Sequence, residues 1–91
     1  MPFELDLPLG LRKEGWKIKI RDKERLEQPH VTVLRKTDCW RYGLRDEVFL
    51  DTSPDPGNVP KAIRKLLTGN LNLLRQQWDR LYPENRVGGS L

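Results

Sequence analysis

The chain has 91 residues, 36% hydrophobic and 33% charged, with a net charge of +4 and a pI near 9.5. That length accommodates one small domain with a single core, and the basic balance favours an anionic partner such as nucleic acid, an acidic protein or a membrane surface. Three tryptophans exclude a wholly disordered chain, no segment approaches the roughly 20 apolar residues of a membrane helix, and the single cysteine, Cys39, excludes an internal disulfide or a multi-cysteine zinc site and fits a reducing cytoplasm.

In chain order, residues 1–14 are expected to be an irregular N-terminal segment, interrupted by Pro2, Pro8 and Gly10. Glu4 and Asp6 precede any basic start, so the segment does not read as a signal peptide. Phe3, Leu5, Leu7, Leu9 and Leu11 alternate with other residues, which marks a short extended edge segment. "GWKIKIRD" predicts a strand with Trp16, Ile18 and Ile20 on one face and Lys17, Lys19 and Arg21 on the other. After the charged link "KERLEQP", "HVTVLRK" predicts a second strand with Val31 and Val33 inward. His30 and Thr32 then share the outer face, with Leu34 also falling there. A short turn at "KTD" leads into "CWRYGLR", a third strand that forms a hairpin with the second. Trp40, Tyr42 and Leu44 point inward, and Cys39, Arg41, Gly43 and Arg45 outward. "VFL" reads as a short fourth strand, and the turn formers of "DTSPDPGN" end the sheet.

Asn58 is a plausible N-cap and Pro60 suits a first turn. Apolar residues at 63, 67, 71, 74, 78 and 81 keep to one helical face. They predict one long C-terminal helix ending near Tyr82, weakened in the middle by Gly69 and stopped by Pro83. The fold class is therefore α+β: an antiparallel sheet of three or four strands packed on one long helix, with residues 15–85 as the domain. The predicted core is Trp16, Ile18, Ile20, Val31, Val33, Trp40, Tyr42, Ile63, Leu67, Leu71, Leu74 and Trp78. Residues 86–91 are expected to be a flexible tail, with "GGSL" linker-like in composition.

The chemistry concentrates on the outer sheet face, where Lys17, Lys19, Arg21, Arg41 and Arg45 would surround His30 and Thr32. Such a plateau can neutralise phosphates, and an imidazole within it can act as general acid or base on RNA. The plainer reading is a solvated strand face, with lysines guarding against edge-to-edge association. His30 lacks a second histidine to build a metal site, and the spacing of Asp22, Glu24 and Glu27 does not demand one. Cys39 lies about 20 Å along the hairpin from His30, too far for a dyad, and reads as a small filler. Lys61, Arg64, Lys65, Arg75 and Arg80 give the helix a basic outer side, either solvated or a docking surface. No phosphate-binding glycine loop, nucleophile elbow or other cofactor motif is present, so no cofactor is expected.

"GWKIKIRD", "QPHVTVLRK", "RYGLRDEVFLD" and "NLNLLRQQWDRLYPENRV" occur in an order that resembles a family of small bacterial proteins of unknown function. The pattern of that family is an early strand, a Pro-Pro-His-x-His segment, a hairpin and a long C-terminal helix with a late tryptophan. The resemblance spans about residues 15–87, with Gln28 in place of the first proline and Thr32 in place of the second histidine. It implies a place in a toxin–antitoxin-like gene pair, with a small cognate protein as partner. The order of Gly15–Trp16, a strand histidine and a final helix is also similar to double-stranded-RNA-binding-like toxins that cleave mRNA with one histidine. The expected function is a cytoplasmic accessory that binds a partner protein or RNA through the basic face. The alternatives are an RNA-cleaving toxin with His30 as catalytic group, and a purely structural or dimerising module.

Overall fold

The computed structural model describes residues 2–22 and 26–88. Four strands form one antiparallel sheet in the order β1–β2–β3–β4: β1 Phe3–Glu4, β2 Trp16–Ile20, β3 His30–Arg35 and β4 Asp38–Gly43. Each strand lies beside its sequence neighbour, the simplest meander. A five-residue helix, α1 (Leu9–Lys13), fills the β1–β2 connection, and Gly15 completes it at φ 89°, a conformation that glycine adopts without strain. The β3–β4 hairpin closes through Lys36 and Thr37, with Lys36 at φ 55° in the left-handed region that tight hairpin loops use.

The register sets the two faces. Ile18 lies opposite Val33, and Val33 opposite Trp40; one residue along, Lys19 lies opposite Thr32, and Thr32 opposite Arg41. Directly paired residues share a face, so the first row enters the core and the second covers the far side. Trp16 and Trp40 stack within the core row, with ring centroids 5.8 Å apart.

Two corrections concern the elements. The fourth strand of the sheet is the N-terminal β1, not "VFL". Residues 48–50 instead run beside β4, with a single bridge between Tyr42 and Phe49 and bonds from Gly43 N to Val48 O and from Leu50 N to Arg41 O. Glu47 in the preceding turn adopts φ 57°. The C-terminal helix is also two helices, α2 (Lys61–Gly69) and α3 (Leu71–Leu81). Asn70 separates them at φ −114°, ψ 18°, well outside the helical well. Its side-chain amide donates to the Leu66 carbonyl (2.8 Å), which its own backbone N–H also bonds (3.0 Å). This local competition, next to Gly69, breaks the helix without losing its apolar period. Ile63, Leu67, Leu74 and Trp78 are all fully buried in one cluster with the sheet.

The core takes in more than the periodic positions. Leu5 and Leu7 join it from the N-terminal segment, and Val59, Tyr82 and Val87 from the connections. Leu71 packs only partly against it. The expected flexible tail is anchored at its start, because the Val87 N–H donates to Asp79 Oδ1 (2.8 Å); residues 89–91 lie outside the described residues. No described helix is long and apolar enough to cross a membrane.

Candidate binding face

The far face of the sheet carries the predicted cations, unequally. Lys17 and Arg21 are exposed, and among the described residues neither has a carboxylate within ion-pair distance. Lys19 faces Glu4 on β1 at 3.8 Å, an exposed pair worth little. Lys17, Lys19, Arg21 and Lys36 line one open groove together with two carboxylates, Asp22 and Glu27, and the apolar Leu34. Strand geometry sets alternate cations of β2 roughly 7 Å apart along that groove.

Arg41 is on the same face but engaged. Its Nη2 donates to Asp51 Oδ1 at 2.8 Å, its Nε reaches both Asp51 oxygens at 3.2 Å, and its Nη1 reaches Glu27 at 3.4 Å. The Arg41 backbone N–H donates to Asp51 Oδ2 as well (2.9 Å). These hydrogen bonds hold the Asp51 carboxyl below the usual carboxylate range and raise the guanidinium further. A carboxylate whose folded pKa is depressed adds stability that is complete above its unfolded value, about 3.9, and fades as pH falls through the folded value. Asp51→Asn is therefore expected to cost about 1 kcal/mol at neutral pH, reduced by the 41% exposure of the Arg41 side chain. The difference from the parent protein should vanish in acid, which urea unfolding across pH measures.

Arg45 does not belong to this face. It turns to the C-terminal segment, donating from Nε to Val87 O (2.8 Å) and from Nη2 to Arg86 O (3.0 Å). The chain leaves β4 at Gly43, so strand alternation no longer governs Arg45. Two helix cations are engaged similarly. Arg64 donates to Val59 O and Pro56 O and lies over the Phe49 ring, and Arg75 donates to Leu44 O.

His30 departs furthest from expectation. Its side chain has 0% exposure. The Gln28 carbonyl, 2.8 Å from Nδ1, can only accept, so Nδ1 carries the proton. Nε2 lies 3.9 Å from Glu27 Oε1, beyond hydrogen-bond length, and the ring centroid is 5.4 Å from that of Trp78. Residues 82–87 bond to both described ends of the β2–β3 connection that precedes His30. Asn85 Nδ2 donates to Glu27 O (2.7 Å), Trp78 Nε1 donates to Asn85 O (2.6 Å), and the Tyr82 hydroxyl donates to Arg21 O. A group that exchanges a proton with a substrate has to touch it. This ring has no exposed surface from which to do so.

Thr32, expected on the outer face, is there but only 2% exposed between Lys19 and Arg41. Among the described residues its hydroxyl has no hydrogen-bond partner. Cys39 is exposed on the same face. The described residues contain no group of three or more histidine, cysteine or acidic residues able to hold a metal ion. Sequence reasoning missed Asp51, Glu27 and Lys36 as parts of the face. For Lys36 the signal was available, since it closes the hairpin beside Leu34; Asp51 sits in a turn-rich stretch with no periodicity to place it.

No family model matches this chain, and neither a curated protein nor a solved structure matches it.

Proposed function

We propose that this chain is a small binding module that holds the backbone of RNA on the far face of its sheet, as the accessory member of a toxin–antitoxin-type pair in a reducing cytoplasm. The observation that carries the reading is the groove in which Lys17, Lys19, Arg21 and Lys36 outnumber Asp22 and Glu27, and in which Lys17 and Arg21 have no carboxylate within ion-pair distance among the described residues. Cations without partners contribute to phosphate binding through counterion release. The described lining of the groove holds no aromatic ring, so bases have no stacking platform and binding is indifferent to sequence. The gene-pair assignment rests on the family resemblance, which also offers a small cognate protein as a second ligand.

The test is fluorescence anisotropy with an oligouridylate strand over a salt series. Four cations imply a log–log salt slope of about −3, at roughly 0.7 per phosphate neutralised. Lys17→Glu combined with Arg21→Glu should weaken binding more than about tenfold and flatten the slope by at least about one unit. Absence of binding by the parent protein at low salt would remove this reading.

A second reading has one observation in its favour. Helix α1 ends just before Gly15–Trp16, which supplies the leading helix of the RNA-cleaving toxins that the chain resembles. In that reading His30 transfers the proton, which requires the buried ring to become exposed.

A further inference from the structure

Beside the basic groove is a second, smaller pocket lined by Arg21, Thr32, Cys39, Arg41, Asp51 and Ser53. Arg21 borders both. We infer that this pocket is the seat for one phosphodiester group of the bound strand, with the Thr32 hydroxyl as its buried donor. The inference rests on the nucleic-acid reading of the face and adds a specific site to it.

Three observations meet here. First, Thr32 lines the pocket, and its hydroxyl is buried with no partner among the described residues. A buried polar group left unpaired destabilises the free protein, and one phosphate oxygen would satisfy it once the flanking Lys19 side chain moves aside. Second, Arg41 is already oriented. A guanidinium has five N–H donors, and Asp51 and Glu27 engage three of them, leaving one on each terminal nitrogen. Asp51 thus fixes the fork in place, so little side-chain entropy is lost when an anion binds. Third, the lining holds at most one net positive charge, two guanidiniums against the Asp51 carboxylate, and Glu27 on Arg41 offsets part of it. A phosphodiester, with one negative charge, is therefore accommodated beside Asp51 better than a phosphomonoester, which carries about −1.5 to −2.

The experiment uses the full chain and the same oligouridylate strand. Thr32→Val keeps the β-branched shape and removes only the hydroxyl, so no charge changes. Its melting temperature should equal or exceed that of the parent, because an unpaired hydroxyl is replaced by a methyl group. Its affinity for the strand should fall roughly tenfold or more, as expected for a lost hydrogen bond to a charged group. The salt slope should stay unchanged, unlike that of the Lys17 and Arg21 variants. Thr32→Ser restores the hydroxyl and should recover most of the affinity. If the parent binds and Thr32→Val binds equally well, the seat is wrong and the basic-face reading stands. If the parent does not bind at low salt, both go. Inorganic phosphate at matched ionic strength should displace the strand no better than chloride does. Displacement that depends on Thr32 would point to a phosphomonoester site and overturn the diester assignment.

Discussion

Trp78→Ala is expected to cost about 3–5 kcal/mol, most of the stability of a domain this size. The indole is fully buried, stacks near Tyr82 at 4.2 Å and His30 at 5.4 Å, and donates from Nε1 to Asn85 O. Truncation therefore does three things at once. It opens a cavity between α3 and the end of the sheet, it leaves the Asn85 carbonyl without its donor, and it frees the segment that Asn85 anchors to Glu27. At about 4–8 °C per kcal/mol for a domain this size, the melting temperature should fall by at least about 12 °C. Circular dichroism melting measures it. Leu73→Ala on the same helix is the control: Leu73 is 37% exposed, and its loss should cost under about 1 kcal/mol. Equal costs for the two would mean that α3 does not face the sheet as described.

The two sheet faces were legible because alternation is a local rule. Ile18, Val33 and Trp40 could be assigned inward from their own strands, and the pairing register then brought them into one row. The apolar face of α2 and α3 was legible for the same reason, its period surviving the break at Asn70. What escaped depends on contacts between distant residues. The pairing of Phe3 with Ile20 rests on two residues of strand, too few to carry a pattern. The Asp51–Arg41 pair, the Arg45 bonds to the 86–87 carbonyls and the Asn85 bond to Glu27 each join a side chain to a distant stretch of turn or loop. No period announces such bonds. They nonetheless decide the candidate site, because they set Arg41 against two carboxylates and turn Arg45 to the C-terminal segment, leaving Lys17 and Arg21 without a carboxylate partner among the described residues. Alternation gave Thr32 its face correctly and its exposure wrongly, since flanking long side chains cover a short one in the middle of a sheet.

His30→Ala separates the binding reading from the catalytic one. A core histidine predicts loss of stability with the binding face intact. The substitution deletes a ring with no exposed surface, removes the bond to Gln28 O and leaves Trp78 without its neighbour. The expected cost is about 2–4 kcal/mol, by analogy with other large-to-small core changes, with a fall in melting temperature of at least about 8 °C. Measured below that transition, affinity for the oligouridylate strand should change less than about threefold. Lys17, Lys19 and Lys36 lie away from the end that residues 82–87 bond, although Arg21 is tied to it through its carbonyl and Tyr82. A catalytic histidine predicts the reverse: RNA cleavage lost by about a hundredfold or more with the melting temperature nearly unchanged. The two outcomes differ in melting temperature and in cleavage, so one pair of measurements decides between them. The geometry favours the first. A proton-transfer group has to be both accessible and oriented, and here the ring is held by Gln28 O and packed beside Trp78 with no exposed surface.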